Sequence, residues 1–155
     1  MKLDKLKIWA VTDGSQGMIS QVIGLSNQIS SDIKEIQTDV IFPWSKLQPG
    51  LLPTYKWIFK NDFPNHDDPN ILISCGRKSV YFSIYCKKKF KKIFNIHIQN
   101  PKISAKNFDY IISPNHDNFY SSNVINSVGA LHQFNKFEKT RNPRLLTCIV
   151  GGNNK

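Results

Sequence analysis

The fold turns on Leu6-Lys7-Ile8-Trp9-Ala10-Val11, followed by Thr12-Asp13-Gly14-Ser15-Gln16-Gly17 and then by Met18, Val22, Ile23, Leu25 and Ile29 at helical spacing. An apolar run of strand length, a glycine-containing turn and a 3.6-residue apolar period read as strand, turn and helix, the opening of a Rossmann-like unit. Ser15 or Asp13 is placed to cap the helix, and Gly14 and Gly17 let a ligand or the packed strand approach the backbone closely.

Working outward, Lys34 to Phe42 reads as a second strand ended by Pro43. The stretch to Asp68 carries Pro49, Pro53 and Pro64, so a loop is expected there, with one short helix around Leu52 to Lys60. Asn70 to Ser74 is a short buried strand, and Arg77 to Lys89 a helix opened by Gly76. Lys92 to Ile98, Phe108 to Ser113 and Asn123 to Asn126 complete the strands, and Leu131 to Lys139 is a further helical candidate. Strands alternating with helices predict an α/β fold, a doubly wound and mostly parallel sheet. Leu145 to Val150 reads as a new buried strand and Gly151-Gly152 as its turn. Residues 1–143 are therefore expected to form one Rossmann-like domain, and residues 144–155 to open a second α/β domain.

Composition narrows the class. A chain of 155 residues is long enough for one real core, and 40% hydrophobic with 21% charged residues is the balance of a soluble globular protein. Apolar stretches break within about six residues, far short of the roughly 20 a spanning helix needs. The basic start, Met1 to Lys7, lacks an apolar segment of signal-peptide length, which points to the cytoplasm. Three cysteines, Cys75, Cys86 and Cys148, without a CxxC spacing support neither a disulfide framework nor a zinc site.

The formal charge of +10 invites a polyanionic partner, although abundant Lys, Asn and Ile are also what an AT-rich coding sequence produces. One run, Lys87-Lys88-Lys89-Phe90-Lys91-Lys92, stands out. It reads either as a solvated helix end, where cations suit the dipole, or as a patch holding the domain at the inner face of an anionic membrane. Nucleic acid is not expected as a partner, and no metal site is predicted.

Four polar loops each follow an apolar segment: Cys75-Gly76-Arg77-Lys78-Ser79, Gln99-Asn100-Pro101-Lys102, Pro114-Asn115-His116-Asp117 and Gly129-Ala130-Leu131-His132. Open α/β sheets place ligands at the carboxyl ends of strands, so these loops form one wall of a cleft. Arg77 and Lys78 at a helix start make an anion seat or a surface salt bridge. Gln99 and Lys102 flank Pro101 and bind polar ligand groups or satisfy their own loop. His116 and Asp117, being adjacent, are better suited to orient a loop or hold a ligand than to act as a catalytic dyad. His132 caps or lines a helix turn, and His66 with Asp67 and Asp68 reads as a solvated loop.

Taken in order, Asp13-Gly14, Gln21, Gly24-Leu25 and the four loops resemble the family of the plant mitochondrial fission factor "elongated mitochondria" and its bacterial relatives. For those relatives, glycosyltransferase or nucleotide-sugar epimerase activity is expected. Gln99-Asn100-Pro101-Lys102 stands where the family commonly has Gln-Asp-Pro-Arg, and Pro114-Asn115-His116-Asp117 where it has Pro-Glu-His-Asp; two carboxylates are amides here. The resemblance implies a GT-B architecture of two facing Rossmann-like halves, of which this chain is the N-terminal, acceptor-side half. It implies Asp13 as a general base, with His116 also in a catalytic position, and Gly14, Gln21, Arg77, Lys78, Ser79, Gln99, Lys102, Asp117 and His132 as substrate-binding residues. Asp13 as a mere turn cap is the alternative. A nucleotide-sugar donor would be held mainly by a C-terminal half, and no other cofactor is expected. That half would come from another polypeptide, or a second copy would dock through residues 145–150; a non-catalytic interaction module and an inactive truncated product are the other readings.

Overall fold

A computed structural model of the chain describes residues 5–61 and 68–134. The expected strand at 145–150, the Gly151-Gly152 turn, most of the 131–139 helix and His66-Asp67 lie outside the described residues.

Eight elements carry the architecture: β1 (Ile8–Thr12), α1 (Gln16–Ile29), β2 (Ile33–Gln37), β3 (Ile71–Cys75), α2 (Arg77–Lys89), β4 (Phe94–Ile98), β5 (Tyr110–Pro114) and β6 (Val124–Ser127). The six strands form one all-parallel sheet in the order β2-β1-β3-β4-β5-β6. From β1 the chain steps outward to β2, then returns past β1 and proceeds the other way from β3. Right-handed crossovers in opposite directions put α1 and α2 on opposite faces, the doubly wound arrangement the sequence predicts.

Strand alternation divides the core accordingly. Ile8, Ala10, Ile73, Cys75, Ile96 and Ile98 point to the α1 face and pack with Val22. Trp9, Val11 and Leu72 point to the α2 face, against Tyr81, Phe82 and Cys86. A smaller cluster of Val80, Ala105, Phe108 and Ile111 extends that face towards β5. Ile73, Leu72 and Phe82 are fully buried, and each such side chain contributes about 1.5–3 kcal/mol by burial.

Two segments depart from expectation. β2 stops at Gln37 instead of continuing to Phe42, because β1 ends at Thr12: the Thr38 N–H donates to the Thr12 carbonyl at 2.8 Å, and no neighbouring backbone remains beyond it. The chain instead pairs antiparallel with its own return. Val40 bridges Phe59, Ile41 N–H donates to Ile58 C=O, and Lys60 N–H to Asp39 C=O. That pairing explains the second departure, since the helix expected at 52–60 shrinks to one 3-10 turn at Lys56–Ile58. Residues 131–134 are likewise not helical. No helix among the described residues is long and apolar enough to cross a membrane.

Candidate functional site

The carboxyl ends of β4, β5 and β6 surround an open cleft of about 330 Å³, lined by Gln99, Asn100, Lys102, Pro114, His116 and Asp117, with Ala130 closing one side. Local backbone chemistry builds it. Gln99 and Lys102 both hold positive φ angles, +79° and +58°, so the loop doubles back sharply after β4. The Gln99 N–H donates to Ile112 C=O at 2.8 Å, and the Lys102 N–H to Asn100 Oδ1 at 2.9 Å. The loop is fixed by its own backbone, and Gln48 adds a bond to the Lys102 carbonyl.

Asp117 is oriented by its neighbours. Its Oδ2 accepts from Ser113 Oγ at 3.1 Å and from the Asn100 N–H at 3.4 Å. His116 Nε2 stands 3.6 Å from Asp117 Oδ1, too far for a hydrogen bond, and the imidazole is 74% exposed. The pair is therefore two independent groups on one short turn: a fixed carboxylate and a solvent-facing imidazole.

Asp13 sits half-buried at the end of β1, where the strand order reverses between β1 and β3. Its Oδ1 accepts the Ser15 N–H at 3.2 Å, which is the turn-capping role. Its Oδ2 approaches Gly76 across the switch point, and both Gly14 (φ +93°) and Gly76 (φ +97°) occupy conformations other residues rarely adopt. Burial first, and the Asp13 carboxylate second, push the Cys75 thiol up to about 12, so Cys75 is a buried core group and no nucleophile.

The loop after β3 is organised differently. Arg77, expected as an anion seat or salt bridge, donates to the Leu47 carbonyl at 2.6 Å and to the Ser45 carbonyl. Tyr81 Oη donates to the same Leu47 carbonyl at 3.1 Å. Lys78 pairs with Asp39 at 2.6 Å, and Lys60 with the other Asp39 oxygen at 2.7 Å; these two bonds, Lys60 foremost, hold the Asp39 carboxyl at about 2. Ser79 is fully buried, and its Oγ donates to Gly76 C=O at 2.6 Å. All three side chains fasten the β2–β3 connection and the start of α2; none lines the cleft.

Gln21 and His132 also lie apart from it. The buried Gln21 amide donates to Gly17 C=O at 3.3 Å, and its Oε1 is left without a partner. His132 lies against α1: a Cβ on Gly24 would meet its carbonyl group, and the Gln133 N–H donates to Ser20 Oγ at 3.3 Å. Gly24 is thus where the segment after β6 crosses the helix.

The lysine run is smaller than the sequence suggests. Lys87 bonds to Ile93 C=O at 3.0 Å and pairs with Asp109, whose carboxylate also accepts the Asn95 N–H at 2.7 Å. Lys88, Lys89, Lys91 and Lys92 remain exposed, at the amino edge of the sheet and opposite the cleft.

Sequence reasoning missed one polar cluster. His97 on β4 is fully enclosed, and its Nδ1 shares a hydrogen bond of 2.8 Å with Ser74 Oγ, which accepts from Ser83 Oγ at 2.7 Å. Burial pushes the imidazole down to about 3, so it stays neutral inside the core. Among the described residues, no group of three or more His, Cys, Asp or Glu could hold a metal ion.

The family's sequence model, described as "Mitochondrial fission ELM1", matches residues 16–155. A Rickettsia prowazekii (strain Madrid E) protein described as "Uncharacterized protein RP120" is 31% identical over 116 residues, 72% of this chain and 32% of its own length. The chain therefore spans about a third of the length of that curated relative. No solved structure matches it. With a family match over residues 16–155, nearly its whole length, the chain belongs to the mitochondrial fission ELM1 family.

Proposed function

We propose that this chain is the acceptor-side half of a GT-B-like sugar transferase, with the cleft at the ends of β4–β6 holding the acceptor and Asp13 as its general base. The supporting observation is the convergence of Gln99, Lys102, His116 and Asp117 on one polar cleft at the carboxyl edge of a parallel sheet. These groups suit hydroxyl recognition: amide and carboxylate oxygens accept, while the lysine and amide N–H groups donate. Asp13 lies on the same edge at the end of β1, two strand spacings or about 10 Å from the end of β4. An acceptor reaching from the cleft to the switch point would bring one hydroxyl to Asp13. Its oxygen bonds to the anomeric carbon, its proton passes to the Asp13 carboxylate, and the bond to the departing nucleoside diphosphate breaks. The donor would be held mainly by a facing C-terminal half.

Saturation-transfer NMR with a panel of mono- and disaccharides tests the cleft. Saccharide contact that disappears in His116→Ala and Lys102→Ala supports the reading; a panel giving no contact, or contact unaffected by both variants, sinks it.

A second reading rests on the opposite edge, where Lys88, Lys89, Lys91 and Lys92 flank an exposed aromatic pair, Phe94 and Tyr110, with ring centroids 5.9 Å apart. Cations beside amphipathic aromatics suit an anionic bilayer surface. On this reading the chain is a non-catalytic peripheral module. Sedimentation with phosphatidylserine vesicles but not with phosphatidylcholine vesicles, lost in Lys91→Glu/Lys92→Glu, is the expected result. Equal sedimentation with both lipids would refute it.

A further inference from the structure

We propose that the groove between α1 and the β2 edge binds the ribose of a nucleoside diphosphate, so that this half of the molecule carries a nucleotide site of its own. Thr12-Asp13-Gly14-Ser15-Gln16-Gly17 follows β1 directly and opens α1, and β1, α1 and β2 together occupy Ile8 to Gln37. That is the register of the phosphate-binding G-x-G-x-x-G turn with Thr12 in its first place. In such units an acidic side chain about 20 residues further on takes the ribose hydroxyls. Glu35 stands at that interval from Gly14, on the edge strand β2.

The structure brings these distant residues to one cavity. Thr12, Gly14, Gln16, Glu35 and Gln37 line a groove of about 310 Å³ whose remaining wall is apolar, formed by side chains such as Ile19 and Ile23. The groove pairs one polar wall with one apolar wall, and a volume near 300 Å³ lies at the small end of the range for small-molecule sites. The chemistry assigns the contacts. A carboxylate accepts through two oxygens, and a vicinal diol offers two O–H donors at matching spacing. Glu35 lines the groove, is exposed and makes no ion pair among the described residues. The apolar wall suits the base.

Two further features fit the phosphates. Gly14 holds φ +93°, and a Cβ there would collide with the Gln37 amide, so the turn and the end of β2 are in direct contact. The first turn of α1 contains no acid, and its N-cap Ser15 makes no side-chain cap bond. The Asp13 carboxylate takes the Ser15 N–H just ahead of the helix, so only the first-turn N–H groups beyond Ser15 are offered to an external anion. Gly17 departs from the pattern, since a Cβ there would meet nothing. No lysine or arginine lines the groove, so the diol contact rather than net charge sets affinity. The groove is a different cavity from the cleft at the ends of β4–β6 but shares the β1–α1 turn with Asp13, and nucleotide contact there does not depend on sugar transfer.

The test is NMR titration of the ¹⁵N-labelled 155-residue chain with ADP and UDP, and with their 2′-deoxy analogues. The expected result is perturbation centred on the amides of Gly14, Gln16, Glu35 and Gln37, by at least one of the two nucleotides. Loss of the 2′-hydroxyl weakens binding about tenfold, the equivalent of one charge-assisted hydrogen bond. Glu35→Gln produces a similar loss at an unchanged melting temperature, and Ile23→Phe, which fills the groove, abolishes the perturbation. Three outcomes overturn the inference: no perturbation of these amides at millimolar nucleotide, perturbation centred on Lys102 and His116 instead, or equal affinity for the deoxy analogues.

Discussion

The loop after β3 and the loops after β4 and β5 look alike in sequence, each a short polar cluster at a strand end, yet they do different work. Arg77, Lys78 and Ser79 turn inward on backbone carbonyls and a carboxylate of their own chain, while Lys102, His116 and Asp117 face a cleft. The difference follows from what each loop borders. β3 is preceded by the long connection from Thr38 to Asn70, which leaves carbonyls such as those of Ser45 and Leu47 without helix or sheet partners. Buried or half-buried carbonyls need donors, and a guanidinium at the adjacent helix start supplies several at once. The connections after β4 and β5 are shorter and need less: Gln48 meets the Lys102 carbonyl and Asp117 takes Ser113 Oγ and the Asn100 N–H, while the Lys102 and His116 side chains stay available. A charged residue at a strand end is a ligand candidate only when no long connection nearby needs it.

The largest expected effect lies behind the β3 loop. His97 has an ordinary pKa of 6.5, lowered in the folded state to about 3 by burial. Between those values the unfolded chain binds more protons than the native one, so stability is fully present above pH 6.5 and is lost as pH falls towards 3. The slope approaches about 1.4 kcal/mol per pH unit, which amounts to about 2.5 kcal/mol between pH 6 and 4. Urea unfolding at the two values should show it, and His97→Leu should flatten that slope. An unaltered slope in the variant would mean that the Ser74–His97 core opens without global unfolding.

Next comes Arg77→Ala, which strips donors from the Ser45 and Leu47 carbonyls and frees the turn at 43–47 from α2. Bonds from a charged donor are worth about 1.5–3 kcal/mol each, and Tyr81 keeps one link to Leu47, so a loss of about 2–3 kcal/mol is expected. Calorimetric melting checks it. A loss under about 0.5 kcal/mol, the level of ordinary surface substitutions, would place Arg77 with the ligand-facing residues and erase the contrast between the loops.

Much of this fold was legible before any coordinates. Apolar period and glycine placement gave β1, α1, β3 and the full extent of α2, because burial on one or two faces writes itself directly into the sequence. The shortened β2 was not legible, since Thr38 to Phe42 remains strand-like in composition and only the end of the neighbouring β1 stops it. Of the candidate site, the Gln99–Lys102 and Pro114–Asp117 loops could be located, but the engagement of Arg77 could not. Its partners are main-chain carbonyls 30 and 32 residues away, and a carbonyl has no residue type to read. The Ser74–Ser83–His97 cluster escaped for a related reason: its members sit on three elements, and each alone is an ordinary core position.

Gly24→Ala carries a smaller but more local effect. The added methyl meets the His132 carbonyl, its carbon 2.6 Å away, so the segment that brings Ala130 to the cleft must shift off α1. Overpacking of this kind costs about 1–2 kcal/mol. Amide exchange should quicken in residues 130–133 while the β3 loop is untouched. Unchanged exchange there would show that this wall of the cleft is held from elsewhere.

The smallest stability change should come from the cleft itself. Neither the His116 imidazole, 74% exposed, nor the Lys102 ammonium fastens one element to another. His116→Ala and Lys102→Ala should each move the unfolding free energy by no more than about 0.5 kcal/mol, the range for surface positions. If the cleft takes an acceptor, the same variants remove most of its binding, so stability and binding separate cleanly: Arg77→Ala loses stability first, and the cleft variants lose only binding. Thermal melts beside saccharide titrations on the same samples read both quantities. A His116 variant that melts early would show the Pro114–Asp117 turn to be a structural tie like the β3 loop, and the two regions would then differ only in which backbone they hold.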